Sequence, residues 1–148
     1  MINKKDFFIS YTKNDEQWAT WIADQLENKG FTVIVQVWDF KPGTNFVNNM
    51  HNALINSERF IAVISPDYFE SLYCQAEWTA AFTKDPSCEK ALFIPVRVKE
   101  CKPKGLFAPI IYIDLHGCEE AEAVERLLNG VSTSRLRNTT GFPGTLKR

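Results

Sequence analysis

The sequence has little of what usually announces a chemistry. Its two histidines, His51 inside a helical pattern and His116 after the last apolar run, read as surface or packing residues rather than as catalytic bases. The four cysteines, Cys74, Cys88, Cys101 and Cys118, are widely spread and form no CxxC or Cys/His pattern of the zinc type. No stretch matches GxxxxGK[ST], GxGxxG or GxSxG, which excludes a phosphate-cradling NTPase loop, a dinucleotide fingerprint and a serine-hydrolase elbow. Charge of one sign is also missing: the formal net charge is −1 and the pI near 6.1. Nothing therefore draws the whole chain toward nucleic acid or anionic lipid. The start, "MINKKDFFIS", has a charged pair and then an apolar run too short for a signal h-region or a membrane span. The expectation is a cytoplasmic chain with reduced thiols, no membrane or nucleic-acid partner, and no bound metal.

What is present is an ordinary globular composition, 45% hydrophobic and 24% charged, over 148 residues, enough for one self-sufficient core. Short apolar runs alternate with helical spacing. "DFFIS" (6–10), "FTVIVQV" (31–37), "RFIAVIS" (59–65), "ALFIPVRV" (91–98) and "IIYIDL" (110–115) read as strands. Between them, Trp18, Trp21, Ile22 and Leu26 recur on one helical face, with Asn14 and Gln17 as a capping box and Gly30 as the stop. A second helix starts from Thr44 as N-cap and carries Phe46, Val47, Met50, Ala53 and Leu54. A third runs from the segment after Ser65 to about Phe82, and "EEAEAVERLLNG" (119–130) forms the last.

Strands that are apolar throughout, alternating with helices, predict an α/β fold: a doubly wound, flavodoxin-like five-stranded parallel sheet with helices on both faces. Residues 1–131 form this domain. Residues 132–148 carry four basic residues, no acids and Gly/Pro punctuation, and read as a tail or a linker toward a further domain.

Open parallel sheets bind ligands beyond the carboxyl ends of their strands. Three segments converge there: "SYTKND" after the first strand, "WDFKPG" after the second, and "SPDYFESLYCQAEW" (65–78) after the third. They hold Tyr11, Trp38, Phe40, Tyr68 and Tyr73, the hydroxyls of Ser10, Ser65 and Ser71, and the carboxylates of Asp39 and Glu77. Aromatic walls with one or two acids suit a nucleotide or nucleoside. A phosphoacceptor receiver is excluded, because the first and third strands end in Ser10 and Ser65 rather than acids. Two-carboxylate glycosidase chemistry through Asp39 and Glu77 stays open, since sequence gives no separation. Cleavage of the nicotinamide–ribose bond of NAD+ asks for less. Its leaving group departs neutral without a proton, and a single carboxylate can stabilise the oxocarbenium-like ribose.

These segments, in this order, resemble a Toll/interleukin receptor (TIR) domain of the bacterial kind. The third follows that family's S-x-x-Y-x-x-S-x-W-C-x-x-E pattern through Ser65, Tyr68, Ser71, Cys74 and Glu77, with Tyr73 where Trp is usual. The resemblance implies an NAD+ nucleosidase, with NAD+ as substrate and no cofactor, giving nicotinamide and ADP-ribose or a cyclic isomer. It makes Glu77 catalytic, lines the substrate site with Ser10, Tyr11, Trp38, Asp39 and Tyr73, and makes Phe40, Lys41, Pro42 and Gly43 an interface loop for homotypic association in defence signalling. Residue by residue, Ser71 reads as a helix N-cap and Cys74 as packing behind Glu77. Asp39 reads equally as a turn-stabilising group. The competing readings are a non-catalytic scaffold acting through TIR–TIR contacts and a nucleoside-processing enzyme of related architecture.

Overall fold

A computed structural model describes residues 4–71, 83, 91–103, 105–132 and 144. Five strands, β1 (Lys5–Ser10), β2 (Val33–Val35), β3 (Ser57–Ile64), β4 (Phe93–Arg97) and β5 (Ile113–Asp114), form one sheet in the order β2-β1-β3-β4-β5. Every pairing is parallel. Helices α1 (Glu16–Asn28), α2 (Gln36–Asp39), α3 (Phe46–Ile55), α4 (Pro66–Glu70) and α5 (Glu120–Val131) complete the described elements, with 3-10 turns at Lys13–Asp15 and Gly105–Phe107. The flavodoxin-like α/β architecture expected from the sequence is the one observed.

Alternation along each strand divides the core in two. Phe7, Ile9, Ile61, Val63, Ile94 and Val96 face α1 and α5, meeting Ile22, Leu26 and Leu127. Phe8, Phe60, Ala62, Ile64 and Phe93 face the other way, meeting Ala53 of α3, Tyr68 of α4 and Phe107. Both faces of the sheet are thus covered, which is why its strands are apolar throughout.

Several boundaries differ from expectation, each for a local reason. β2 stops at Val35 because the Asp39 carboxylate accepts the Val35 N–H at 2.7 Å and turns the chain into α2, so Gln36 and Val37 leave the strand. β5 is reduced to Ile113–Asp114. Arg97 O accepts from Leu115 N, so odd-numbered β4 residues point toward β5. Pro95 stands on that side with no N–H to offer, and the β4–β5 pairing begins only at Val96.

The Asn14/Gln17 capping box is not formed. Asp15 occupies the N-cap of α1 without a side-chain bond to the helix, and Asn14 Nδ2 instead donates to Asp67 at 2.9 Å. The N-cap of α3 is Asn45, which accepts from Asn48 N–H at 3.0 Å, one residue beyond Thr44. Of the helix expected to run to about Phe82, residues 72–82 lie outside the described residues; the short α4 ends at Glu70, and Ser71, expected as an N-cap, is the C-cap of α4 in an extended conformation. Gly30 does end α1, at φ +92, where its N–H donates to Glu27 O.

Away from the carboxyl edge of β1 and β3, Arg97 holds Asp114 by two bonds, Nε to Oδ1 at 3.1 Å and a terminal nitrogen to Oδ2 at 2.8 Å. The guanidinium holds the Asp114 carboxyl below its ordinary value, against the opposing effect of burial. A carboxylate depressed in the folded state contributes stability that is present above its unfolded pKa of about 4 and is lost as pH falls through the folded value. Asp114→Asn is therefore expected to destabilise the protein at pH 7 by about 2 kcal/mol, and by progressively less below pH ~4. Urea unfolding of both proteins at pH 7 and pH 3 measures the gap. A gap of constant size would refute the linkage.

Candidate functional site

β1, β2 and β3 end side by side, and the segments expected to build a site leave from those ends. Ser10, the last residue of β1, pairs in register with Ala62 of β3 and is almost fully buried. Its hydroxyl lies 3.0 Å from the phenolic oxygen of Tyr68, a fully buried residue of α4. Ser65 follows β3 directly and N-caps α4: its Oγ accepts the Tyr68 N–H at 3.3 Å, and Pro66 opens the helix where no donor is needed. Two serines and one tyrosine thus close the sheet edge where "SYTKND" and "SPDYFES" meet.

The same Ser65 hydroxyl donates to Asp15 Oδ2 at 2.5 Å. Thr12 Oγ1 donates to that oxygen at 3.0 Å, and the Lys99 ammonium stands 2.7 Å from Asp15 Oδ1. Hydrogen bonding to Asp15 holds the Lys99 pKa above its ordinary value despite some desolvation. Neither Asp15 nor Lys99 was singled out from the sequence. Asp15 sits inside a segment that was read for its cap, and Lys99 follows β4, whose carboxyl end adjoins that of β3. The available signal was that adjacency.

The other expected site residues divide. Tyr11 is half-buried and packs against the core beneath α1. Trp38 is 46% exposed on α2, a large indole face left open to a ligand or partner. Asp39 has one carboxylate oxygen committed to Val35 N–H, the turn-stabilising role that was one of its two readings. In the loop that follows, Phe40 points inward, nearly parallel to Phe8 at 6.5 Å and edge-on to Phe46 at 5.7 Å. Lys41, Pro42 and Gly43 are exposed, and Gly43 adopts φ +87, a conformation that favours glycine. The loop is anchored by one ring and presents its polar tip outward.

Tyr73, Cys74 and Glu77 lie outside the described residues, as does Cys88. Both histidines are exposed, with His116 Nε2 3.7 Å from Glu100. Cys101 and Cys118 are free thiols, pushed up in pKa chiefly by desolvation. Among the described residues no group of three or more His, Cys, Asp or Glu is placed to hold a metal ion, and no helix is long and apolar enough to cross a membrane. Among the described residues, hollows of about 580 and 690 Å³ flank β5 and the amino ends of the strands.

A family model described as TIR domain matches residues 7–128, nearly the whole of the sheet and its helices. The chain belongs to the TIR family. Human Toll-like receptor 6 is 31% identical over 71 residues, covering 47% of this chain and 9% of the receptor. The NAD(+) hydrolase TirS of Staphylococcus aureus is 25% identical over 92 residues, covering 62% of this chain and 33% of that protein. The chain thus spans a third or less of the length of these curated relatives.

Among solved structures, the TIR domain of a Toll-related receptor from Hydra magnipapillata superposes with a TM-score of 0.67 at 26% identity. That match covers 76% of this chain and 85% of the other. A metazoan TIR-STING receptor from C. gigas shares the fold, with a TM-score of 0.71 at 24% identity over 84% of this chain and 40% of that one. The site just described is the carboxyl edge of a TIR sheet, built from the start of the S-x-x-Y-x-x-S motif.

Proposed function

We propose that this TIR domain cleaves the nicotinamide–ribose bond of NAD+, with Glu77 as the catalytic carboxylate. The observation that carries the proposal is the anchoring of the motif. Ser65 and Tyr68, its first two matching residues, are buried and bonded to Asp15 and Ser10 at the sheet edge where a doubly wound fold binds ligands. The same motif runs on in sequence to Glu77. Similarity to TirS, a protein named as an NAD(+) hydrolase, supports the choice of substrate.

In the proposed reaction the bond between ribose C1′ and the pyridinium nitrogen breaks, and its electron pair neutralises the departing nicotinamide. Glu77 stabilises the positive charge that develops on the ribose. Water then adds at C1′ and releases a proton, giving ADP-ribose; attack by a nucleophile within the same substrate gives a cyclic isomer instead. Ser10, Tyr11, Trp38 and Tyr73 are assigned to the pocket, and Asp39 to the turn that presents Trp38. Activation by self-assembly, a cytoplasmic location and a role in defence signalling belong to the same proposal.

One observation favours the scaffold reading as a second function. Val37, Trp38 and Val47 are large apolar side chains left 44–59% exposed on α2 and at the start of α3, before and after the 40–43 loop, and such a surface suits homotypic TIR contacts. The two readings part on the product. Incubation of the full chain with NAD+ at high protein concentration, followed by mass spectrometry, is expected to show nicotinamide with an equal amount of ADP-ribose or a cyclic isomer. Unchanged NAD+ together with concentration-dependent self-association would leave only the scaffold.

A further inference from the structure

Asp15 is a fully buried acid for which the proposed reaction has no use. Withdrawing the Asp15 carboxylate from water costs several kcal/mol, and its partner Lys99 keeps a side chain 45% exposed and so offsets less. An apolar side chain of similar volume often stabilises such a position as well or better. Stability therefore does not account for the pair. What it does supply is a fixed arrangement of three loops. Oδ1 faces Lys99, just beyond β4. Oδ2 accepts from Thr12, just beyond β1, and from Ser65, at the start of α4. Ser65 in turn caps the Tyr68 N–H, and the Tyr68 hydroxyl meets Ser10. A second tie, Asn14 to Asp67, binds the same two loops on the outside. An unbroken run of polar contacts, Lys99–Asp15–Ser65–Tyr68–Ser10, thus crosses the carboxyl edge from β4 to β1.

We propose that Asp15, held by Lys99, is a positioning residue for N-glycosidic cleavage: it fixes the placement of Ser65 and α4, and through them the start of the chain that leads to Glu77. This inference rests on the NAD-cleaving reading. The leverage is large, because a misplacement of about 1 Å at a reacting group can cost on the order of a hundredfold in rate. Paired with Asp15 and raised in pKa, Lys99 stays charged throughout the physiological range.

The test combines amide hydrogen exchange with kinetics on the full chain, comparing wild type, Asp15→Asn, Ser65→Ala and the double variant Asp15→Asn/Lys99→Gln. Ser65→Ala removes one hydroxyl and leaves the Asp15–Lys99 pair in place, so it remains informative if Asp15→Asn fails to fold. In the double variant, the Gln carbonyl can accept from the Asn amide where two donors would otherwise meet. Both single variants are expected to exchange about tenfold faster at amides 67–71 with amides 7–9 and 61–64 unchanged, because only the local tie is lost. Their kcat for nicotinamide release is expected to fall roughly tenfold to a hundredfold with KM within about twofold, and the double variant to recover to within about threefold of wild type.

Unchanged exchange at 67–71, or altered exchange with an unchanged kcat, overturns the proposal. If wild type releases no nicotinamide, the NAD-cleaving reading fails by itself, and the exchange arm then decides the tie: local loosening supports it and none refutes it.

Discussion

Glu77→Gln is expected to lower nicotinamide release by on the order of a hundredfold to a thousandfold, the usual effect of removing one preorganised electrostatic stabiliser. Gln keeps the size of the side chain and its capacity to accept a hydrogen bond, and loses only the negative charge. The proposed transition state calls on that charge, since the leaving group departs neutral and the ribose alone becomes cationic. Binding of NAD+ depends mostly on other contacts, so KM is expected to change much less than kcat. Glu77→Asp shortens the reach by one methylene and retains the charge, and is expected to fall between wild type and Gln. Steady-state assays of the three proteins, each checked for an unaltered far-ultraviolet spectrum, decide the point. Activity retained in Gln together with a loss in Asp would indicate that position matters and charge does not.

Tyr68→Ala carries the largest expected effect on stability. The ring is fully buried and lies edge-on to Phe69 at 6.2 Å and to Phe107 at 6.3 Å, within the core on the α3 and α4 side of the sheet. Truncating a buried aromatic ring to alanine typically costs about 3–5 kcal/mol. Here the cavity opens at the sheet edge, and the Ser10 hydroxyl loses its 3.0 Å contact as well. Tyr68→Phe keeps the ring and removes the hydroxyl that makes that contact, so about 1 kcal/mol is expected. Chemical denaturation of the two variants separates packing from hydrogen bonding. A loss in Tyr68→Phe as large as in Tyr68→Ala would mean that the hydroxyl, rather than the ring, holds α4.

The strands were legible because a sheet covered on both faces needs uninterrupted apolar runs, and Phe7 to Ile9 or Phe60 to Ile64 can hardly be read otherwise. Their lengths were not, because lengths were settled by single polar or missing groups. The Asp39 carboxylate took the Val35 N–H and shortened β2, and Pro95 withheld a donor and shortened β5. Caps were misplaced where a better partner lay far away in sequence: Asn14 bonds Asp67, 53 residues on, in preference to its own helix.

The site was partly legible for the same reason. Ser10, Ser65 and Tyr68 stood at strand ends or inside a motif, whereas the Asp15–Lys99 pair joins positions 84 apart, and no local pattern records such a partnership. In Asp15 the sequence displayed a helix-start residue, and tertiary structure turned it into a buried tie.

The central claim is that this chain cleaves NAD+ through one carboxylate. Its most direct test follows nicotinamide release over time from wild type and Glu77→Ala, side by side, at matched high concentration and with matched secondary structure. The account predicts steady release from wild type and none above background from the variant. Equal rates, whether both positive or both zero, would contradict it.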